Sequence, residues 1–262
     1  MRATFEQYVE RYKAFAALTR EDGILQIRLH TNDGPCIFDG VMHAELGDLF
    51  ADVGSDRGNR VVIFTATGDR FMHANDMDVK AMEPYLPYTA ALHLPLMPES
   101  VRLLDSFLDI EVPVIAAVNG PISVHAEIPV LADIVLASDD AWFSDSFHFI
   151  NGVVPGDGAQ VIWPMMMGLP RARYFLITGE KISSAEAKTI GFVNEILPRG
   201  ALLDRAWSLA RSLIAQPDVT LRATRFLFTR PLKHALQDDL TLGLALEGLG
   251  NSHHWPLELK KV

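Results

Sequence analysis

His148 and Asp157 stand nine positions apart in the segment FSDSFHFINGVVPGDGAQ, separated by Asn151–Gly152 and by Pro155–Gly156. Pairs of this kind make turns, and turns can fold the carboxylate back to the imidazole, where it fixes the tautomer and stabilises the imidazolium. A His–Asp dyad for proton transfer near neutral pH is then possible. The spacing leaves a second arrangement open: Asp157 as the N-cap of a helix beginning at Gly158, with His148 an isolated core or surface residue.

Upstream, the apolar run PVIAAV ends at Asn119–Gly120–Pro121 and leads through a turn into a short helix. A chain that turns sharply from a strand end into a helix can aim backbone N–H groups at a ligand oxygen. His125 lies where that helix should begin, placed either to bind a carbonyl or enolate oxygen or to cap and pack. Leu236, Leu240, Leu244 and Glu247 follow at intervals of 4, 4 and 3, one face of a helix. That stripe carries a carboxylate inward, which is costly unless it is paired, hydrogen-bonded or bathed by site water; an exposed helix end or a nearby cation is the plainer account. The segment TATGDRFMHANDMD, with His73 in it, follows a strand and could add a further oxyanion-binding N–H or form a surface turn. The remaining histidines lack metal-ligand spacing, and there is no P-loop, no strand-borne GxGxxG and no Ser-centred nucleophile elbow.

These groups need elements to hold them. Short β-branched runs at residues 24–29, 61–66, 114–118, 134–137 and 192–196 read as strands. They alternate with helical patterns at 41–51 and 100–109, which predicts an α/β fold. From about Pro170 the pattern turns helical, at 171–178, 184–190, 202–215, 221–228 and 232–249. The division expected is an α/β core over 1–200 and a helical C-terminal subdomain over 201–262. The first 22 residues read as a charged amphipathic surface helix without the apolar core of a signal peptide.

At 262 residues, 49% hydrophobic and 21% charged, the chain has globular proportions. A net charge of −10 works against nucleic acid and anionic membrane surfaces. The single cysteine, Cys36, rules out an intramolecular disulfide and a Cys-rich zinc site, which fits a reducing, cytoplasmic compartment. No stretch approaches the roughly 20 apolar residues of a membrane span.

Three motifs, RFMHANDM (70–77), PVIAAVNGP (113–121) leading to Glu127, and GVVPGDGAQ (152–160), resemble the crotonase (enoyl-CoA hydratase/isomerase) superfamily. The resemblance runs from about Asp22 to Glu247. It implies a crotonase-like spiral of ββα units with the helical C-terminal subdomain serving oligomerisation and as a lid, assembled as a trimer or a dimer of trimers. Departures matter as much as matches. Ile122, Ser123, Val124 and His125 replace the hydratases' glycine-rich turn, His148 stands where they carry a catalytic Glu, and Asp157 replaces a small turn residue. These changes resemble the β-diketone hydrolase branch of the superfamily. The resemblance implies that His148 and Asp157 form an acid–base dyad, that His125 binds a carbonyl or enolate, and that Glu247 positions water. Phe38, His73, Met77 and Val124 would then line the substrate pocket, with Phe38 replacing a tryptophan and so lacking an indole donor. The implied reaction is cofactor-independent retro-Claisen hydrolysis of a cyclic 1,3-diketone. A CoA-thioester hydratase or isomerase, or a non-catalytic scaffold subunit, are the competing expectations.

Overall fold

Thr4 and Gln7 close a capping box at the amino terminus and start α1 (Phe5–Tyr12) in the computed structural model, which describes residues 3–254 except 73–88. Tyr8 and Tyr12 turn inward, and their hydroxyls donate to Asp56 and Asp52 at 2.9 and 2.8 Å. The helix expected over the first 22 residues stops there, because β1 (Ala16–Glu21) pairs antiparallel with β2 (Ile24–Leu29). Asp22 and Gly23, at φ 51° and 84°, supply the left-handed two-residue turn that favours such hairpins. Asp39 caps α2 (Gly40–Ser55), and β3 (Val61–Ala66) follows.

After α3 (Ala90–Leu108) come β4 (Val114–Val118), α4 (Glu127–Val130), β5 (Ile134–Ser138) and β6 (Trp142–Phe143). Helix α3 starts ten residues earlier than expected, since Pro95 and Pro98 lie inside it and interrupt the sequence signal. A 3₁₀ turn (Phe149–Asn151) precedes α5 (Ala159–Met167), α6 (Leu169–Thr178), β7 (Ile182–Ser183), α7 (Ser184–Ile190) and β8 (Glu195–Leu197). Phe192 and Val193, expected in that last strand, instead pack into the core just before it. Helices α8 (Arg199–Leu213) and α9 (Asp218–His254) complete the described chain. The two helices expected at 221–228 and 232–249 are one, with Pro231 inside α9. Pro231 has no N–H to give the Leu227 carbonyl one turn earlier.

The main sheet runs β1-β2-β3-β4-β5-β8, parallel apart from the first pair. Both faces are covered, so β3 and β4 are buried throughout. Val62 and Phe64 point into the larger core with Leu46, Phe50 and Phe107, while Val61 and Ile63 meet Leu202, Ala206 and Ala210 of α8. A smaller layer lies beside it: Ile122 bridges Met72 and Phe143, and β6 pairs with β7. Asn119 fixes the intervening turn by donating to the carbonyls of Gly68 and Arg70 at 2.8 and 3.1 Å.

Helix α9 packs against α3 and α5. Buried Arg225 pins it, donating to the carbonyls of Ile110 and Phe107 at 2.6 and 3.1 Å and pairing with Asp133. No described helix is long and apolar enough to cross a membrane.

Candidate active site

The segment 122–125 is held from both sides before it reaches His125. Ser123 N–H donates to Met72 O at 2.8 Å, and Ile122 N–H donates to Trp142 O at 2.9 Å. His125 then takes φ 49°, a left-handed conformation that costs a side-chain-bearing residue about 1 kcal/mol and is kept only where surroundings enforce it. Helix α4 starts two residues later, so the strained turn aims the imidazole back toward Glu127, with Nδ1 and Oε1 2.8 Å apart.

His148 sits before the 3₁₀ turn, 4% exposed, with an acid beside each ring nitrogen but a hydrogen bond at Nδ1 only among the described residues. Its Nδ1 is 2.7 Å from Asp145 Oδ1, and its Nε2 is 3.3 Å from Asp157 Oδ2. That Asp157 oxygen also lies 3.6 Å from His125 Nδ1, so one carboxylate stands between two imidazoles. The alternative that Asp157 serves only as a helix cap does not describe it: Gly158 is the N-cap of α5 and no side chain caps that helix.

Glu247 arrives from α9. Leu236, Leu240 and Leu244 are buried at 1–2% exposure, as the stripe requires. Two glycine contacts bring the helix close enough. A methyl group on Gly156 would lie 2.1 Å from Gly243 O and 3.0 Å from Glu247 Cβ, and one on Gly248 would strike the His93 ring at 2.2 Å. Only glycine permits both approaches. His93 in turn hydrogen-bonds the Leu244 carbonyl at 2.7 Å.

Burial and charge set the protonation states. Burial disfavours the charged form of His148, but Asp145 and then Asp157 outweigh it and hold the imidazolium well above the ordinary range. Against its own burial, Asp157 is held strongly ionised by His148 and His125. His125 is raised despite burial, by Glu127 first and Asp157 next. Burial raises Glu127. Burial, reinforced by Asp157, pushes Glu247 up to about 8. Its Oε2 and Asp157 Oδ1 are buried without a hydrogen-bond partner among the described residues.

Phe38, 4% exposed, lies against this cluster, its ring centroid 4.7 Å from that of His125, and Val124, also 4% exposed, immediately precedes His125 in the chain. His73 and Met77 lie outside the described residues. Three groups escaped the sequence reading of the site: Asp145, the acidic role of Glu127, and His43. The His43 ring lies 5.7 Å from the His125 ring, with Nδ1 3.4 Å from Glu99 and Nε2 3.3 Å from Ser100 Oγ. A buried acid inside the apolar run HAEIPV was a readable signal for Glu127; nothing local marks His43. His125, Glu127 and Asp157 each offer one ligand atom within 4.8 Å of the others, a spacing that could also hold a metal ion. The hydrogen bond between His125 and Glu127 already engages two of the three groups.

Comparison with known proteins supplies the context. The family model described as enoyl-CoA hydratase/isomerase matches residues 19–249. The carnitinyl-CoA dehydratase of Citrobacter koseri is 29% identical over 211 residues, 80% of this chain and 78% of that protein. Among solved structures, a β-diketone hydrolase from the cyanobacterium Anabaena, bound to (S)-3-oxocyclohexyl acetic acid, is 39% identical with a TM-score of 0.90, over 97% of this chain and 99% of that one. An enoyl-CoA hydratase/isomerase from Mycobacterium paratuberculosis shares the fold at 22% identity and a TM-score of 0.83, over 91% and 94%.

Proposed function

From the premise that the chain belongs to the enoyl-CoA hydratase/isomerase (crotonase) family, we propose that it hydrolyses a carbon–carbon bond of a cyclic 1,3-diketone by a retro-Claisen mechanism, giving a keto acid. The observation that carries this reading is Asp157 standing between His148 Nε2 and His125 Nδ1. One side of such a carboxylate can serve proton transfer while the other imidazole serves an oxyanion. The likeness to the Anabaena β-diketone hydrolase supports it.

In this scheme Glu247 holds a water against one carbonyl. The His148–Asp157 pair takes up the proton that water releases, and His125 stabilises the tetrahedral oxyanion. Collapse breaks the carbon–carbon bond, its electrons pass into the second carbonyl as an enolate, and the pair returns a proton to carbon. Phe38 and Val124, with His73 and Met77, shape the pocket. Side chains handle every proton and charge, so the scheme calls for no metal or organic cofactor. Phe226, Leu227 and Phe228, exposed on α9, support assembly with further copies as a trimer or a dimer of trimers, in which residues 201–262 supply contacts and close the site.

The test is a panel of bicyclic and monocyclic 1,3-diketones beside crotonyl-type CoA esters, run in ¹⁸O-water. A ring-opened keto acid carrying the label in its carboxylate is expected. The carnitinyl-CoA dehydratase relatives favour a CoA-thioester reaction instead, and turnover of the CoA esters with every diketone left intact would establish that reading in place of ours.

A further inference from the structure

Two carboxylates flank His148, and their geometries differ. Asp145, 6% exposed, places Oδ1 2.7 Å from Nδ1, and the same oxygen accepts the His148 backbone N–H at 3.3 Å. Ring and main chain are therefore gripped by one atom three residues away. Asp157 approaches the opposite nitrogen at 3.3 Å without a hydrogen bond, shares that oxygen with His125 at 3.6 Å, and, like Asp145 with its Oδ2, keeps one oxygen, Oδ1, unpartnered among the described residues.

In a His–carboxylate unit the orienting carboxylate holds one ring nitrogen and leaves the other toward the reacting atoms. We infer that Asp145, rather than Asp157, is the positioning residue for His148, and that Asp157 stands on the reacting side. The inference rests on the retro-Claisen reading for its chemistry and on geometry alone for the orientation of the ring.

The division of labour balances the protons. As water adds to the carbonyl, its O–H bond breaks and the proton goes to the open oxygen of Asp157. When the carbon–carbon bond breaks, the enolate carbon takes the proton on His148 Nε2. Asp157 then passes its proton to Nε2, and the site returns to its starting state. Asp145 holds the Nδ1 proton throughout. The charged and titratable groups around His148 are Asp145, Asp157, His125 with Glu127, and Glu247.

The experiment is ¹⁵N NMR of enzyme with labelled histidine imidazoles, free of substrate, with kinetics on the same proteins. In the wild type the neutral His148 keeps its proton on Nδ1, and Asp157→Asn preserves that tautomer. In Asp145→Asn the tautomer preference is lost and the His148 midpoint falls. Turnover in that variant drops more than about tenfold with KM within about threefold, and Asp145→Glu recovers part of the loss. A wild-type Nε2–H tautomer would overturn the assignment. So would a tautomer that depends on Asp157 and survives in Asp145→Asn. If Asp145→Asn fails to fold, the wild-type and Asp157→Asn spectra still decide. The spectra do not depend on any diketone being turned over, so failure of the reaction reading and failure of this inference are separable.

Discussion

Glu247→Gln should make the protein more stable and less active at once. The folded carboxyl keeps its proton up to about pH 8, whereas in the unfolded chain it releases it near 4.5. Below pH 4.5 both states hold the proton and there is no penalty; as pH rises toward 8, only the unfolded state ionises and stability is lost. At pH 7 the cost of keeping Glu247 is about 3 kcal/mol. Glutamine fills the same space without titrating. The variant should therefore melt roughly 5–10 °C higher at pH 7, with the advantage shrinking to about 2 °C at pH 5 and levelling off only above about pH 8. Hydrolysis should slow by about tenfold or more, because the amide presents an NH2 donor in place of one carboxyl oxygen and cannot exchange a proton with the water it holds. Scanning calorimetry of both proteins at pH 5, 7 and 8, with turnover at pH 7, is the assay. An equal melting offset at all three pH values, or full activity in the variant, would refute the reasoning.

Further outcomes follow from the same geometry. Replacing His148 or Asp157 with Ala should lower turnover by about 10²- to 10⁴-fold, and the double variant should be little worse than the worse single one, as steady-state kinetics can show. Gly156→Ala sets a methyl group 2.1 Å from Gly243 O. It should cost about 1–3 kcal/mol in denaturant melts and at least about tenfold in turnover, by pushing α9 and Glu247 outward. Arg225→Leu removes a donor from the carbonyls of Ile110 and Phe107 and leaves Asp133 with only the Val114 N–H at 2.7 Å, and should destabilise by about 3 kcal/mol, measurable by circular dichroism.

The sequence and the fold agree best where one physical signal dominates. Strands β2, β3 and β4 match their expected bounds residue for residue; β3 and β4 are buried throughout and almost wholly apolar, while β2 keeps Arg28 exposed. Strand β1 was missed since half its residues face solvent, although Asp22–Gly23 was a readable hairpin signal. Prolines misled at α3 and α9, where tertiary packing keeps a helix that local propensity would break. Within the site, the spacing of Leu236, Leu240 and Leu244 placed Glu247 on an inward face, and the structure brings it to a cluster with His125, His148 and Asp157. Asp145 could not be told from other surface-type acids by sequence, since three residues of separation says nothing about a ring's direction. His43 reaches His125 from α2 across a distance in sequence that no local pattern encodes.

The backbone contact between Gly156 and Gly243 joins positions 87 residues apart, and it has a bearing on the order of events in synthesis. His125, Glu127, Asp145, His148 and Asp157 all fall within residues 125–157, whereas Glu247 follows only 90 residues later, on α9. A nascent chain lacking α9 would hold both imidazoles and three carboxylates open to solvent, wet and unselective. Seating that helix against α3 and α5 brings Glu247 to the cluster in one docking event, so assembly of the cluster is tied to the arrival of α9 rather than to folding of the sheet.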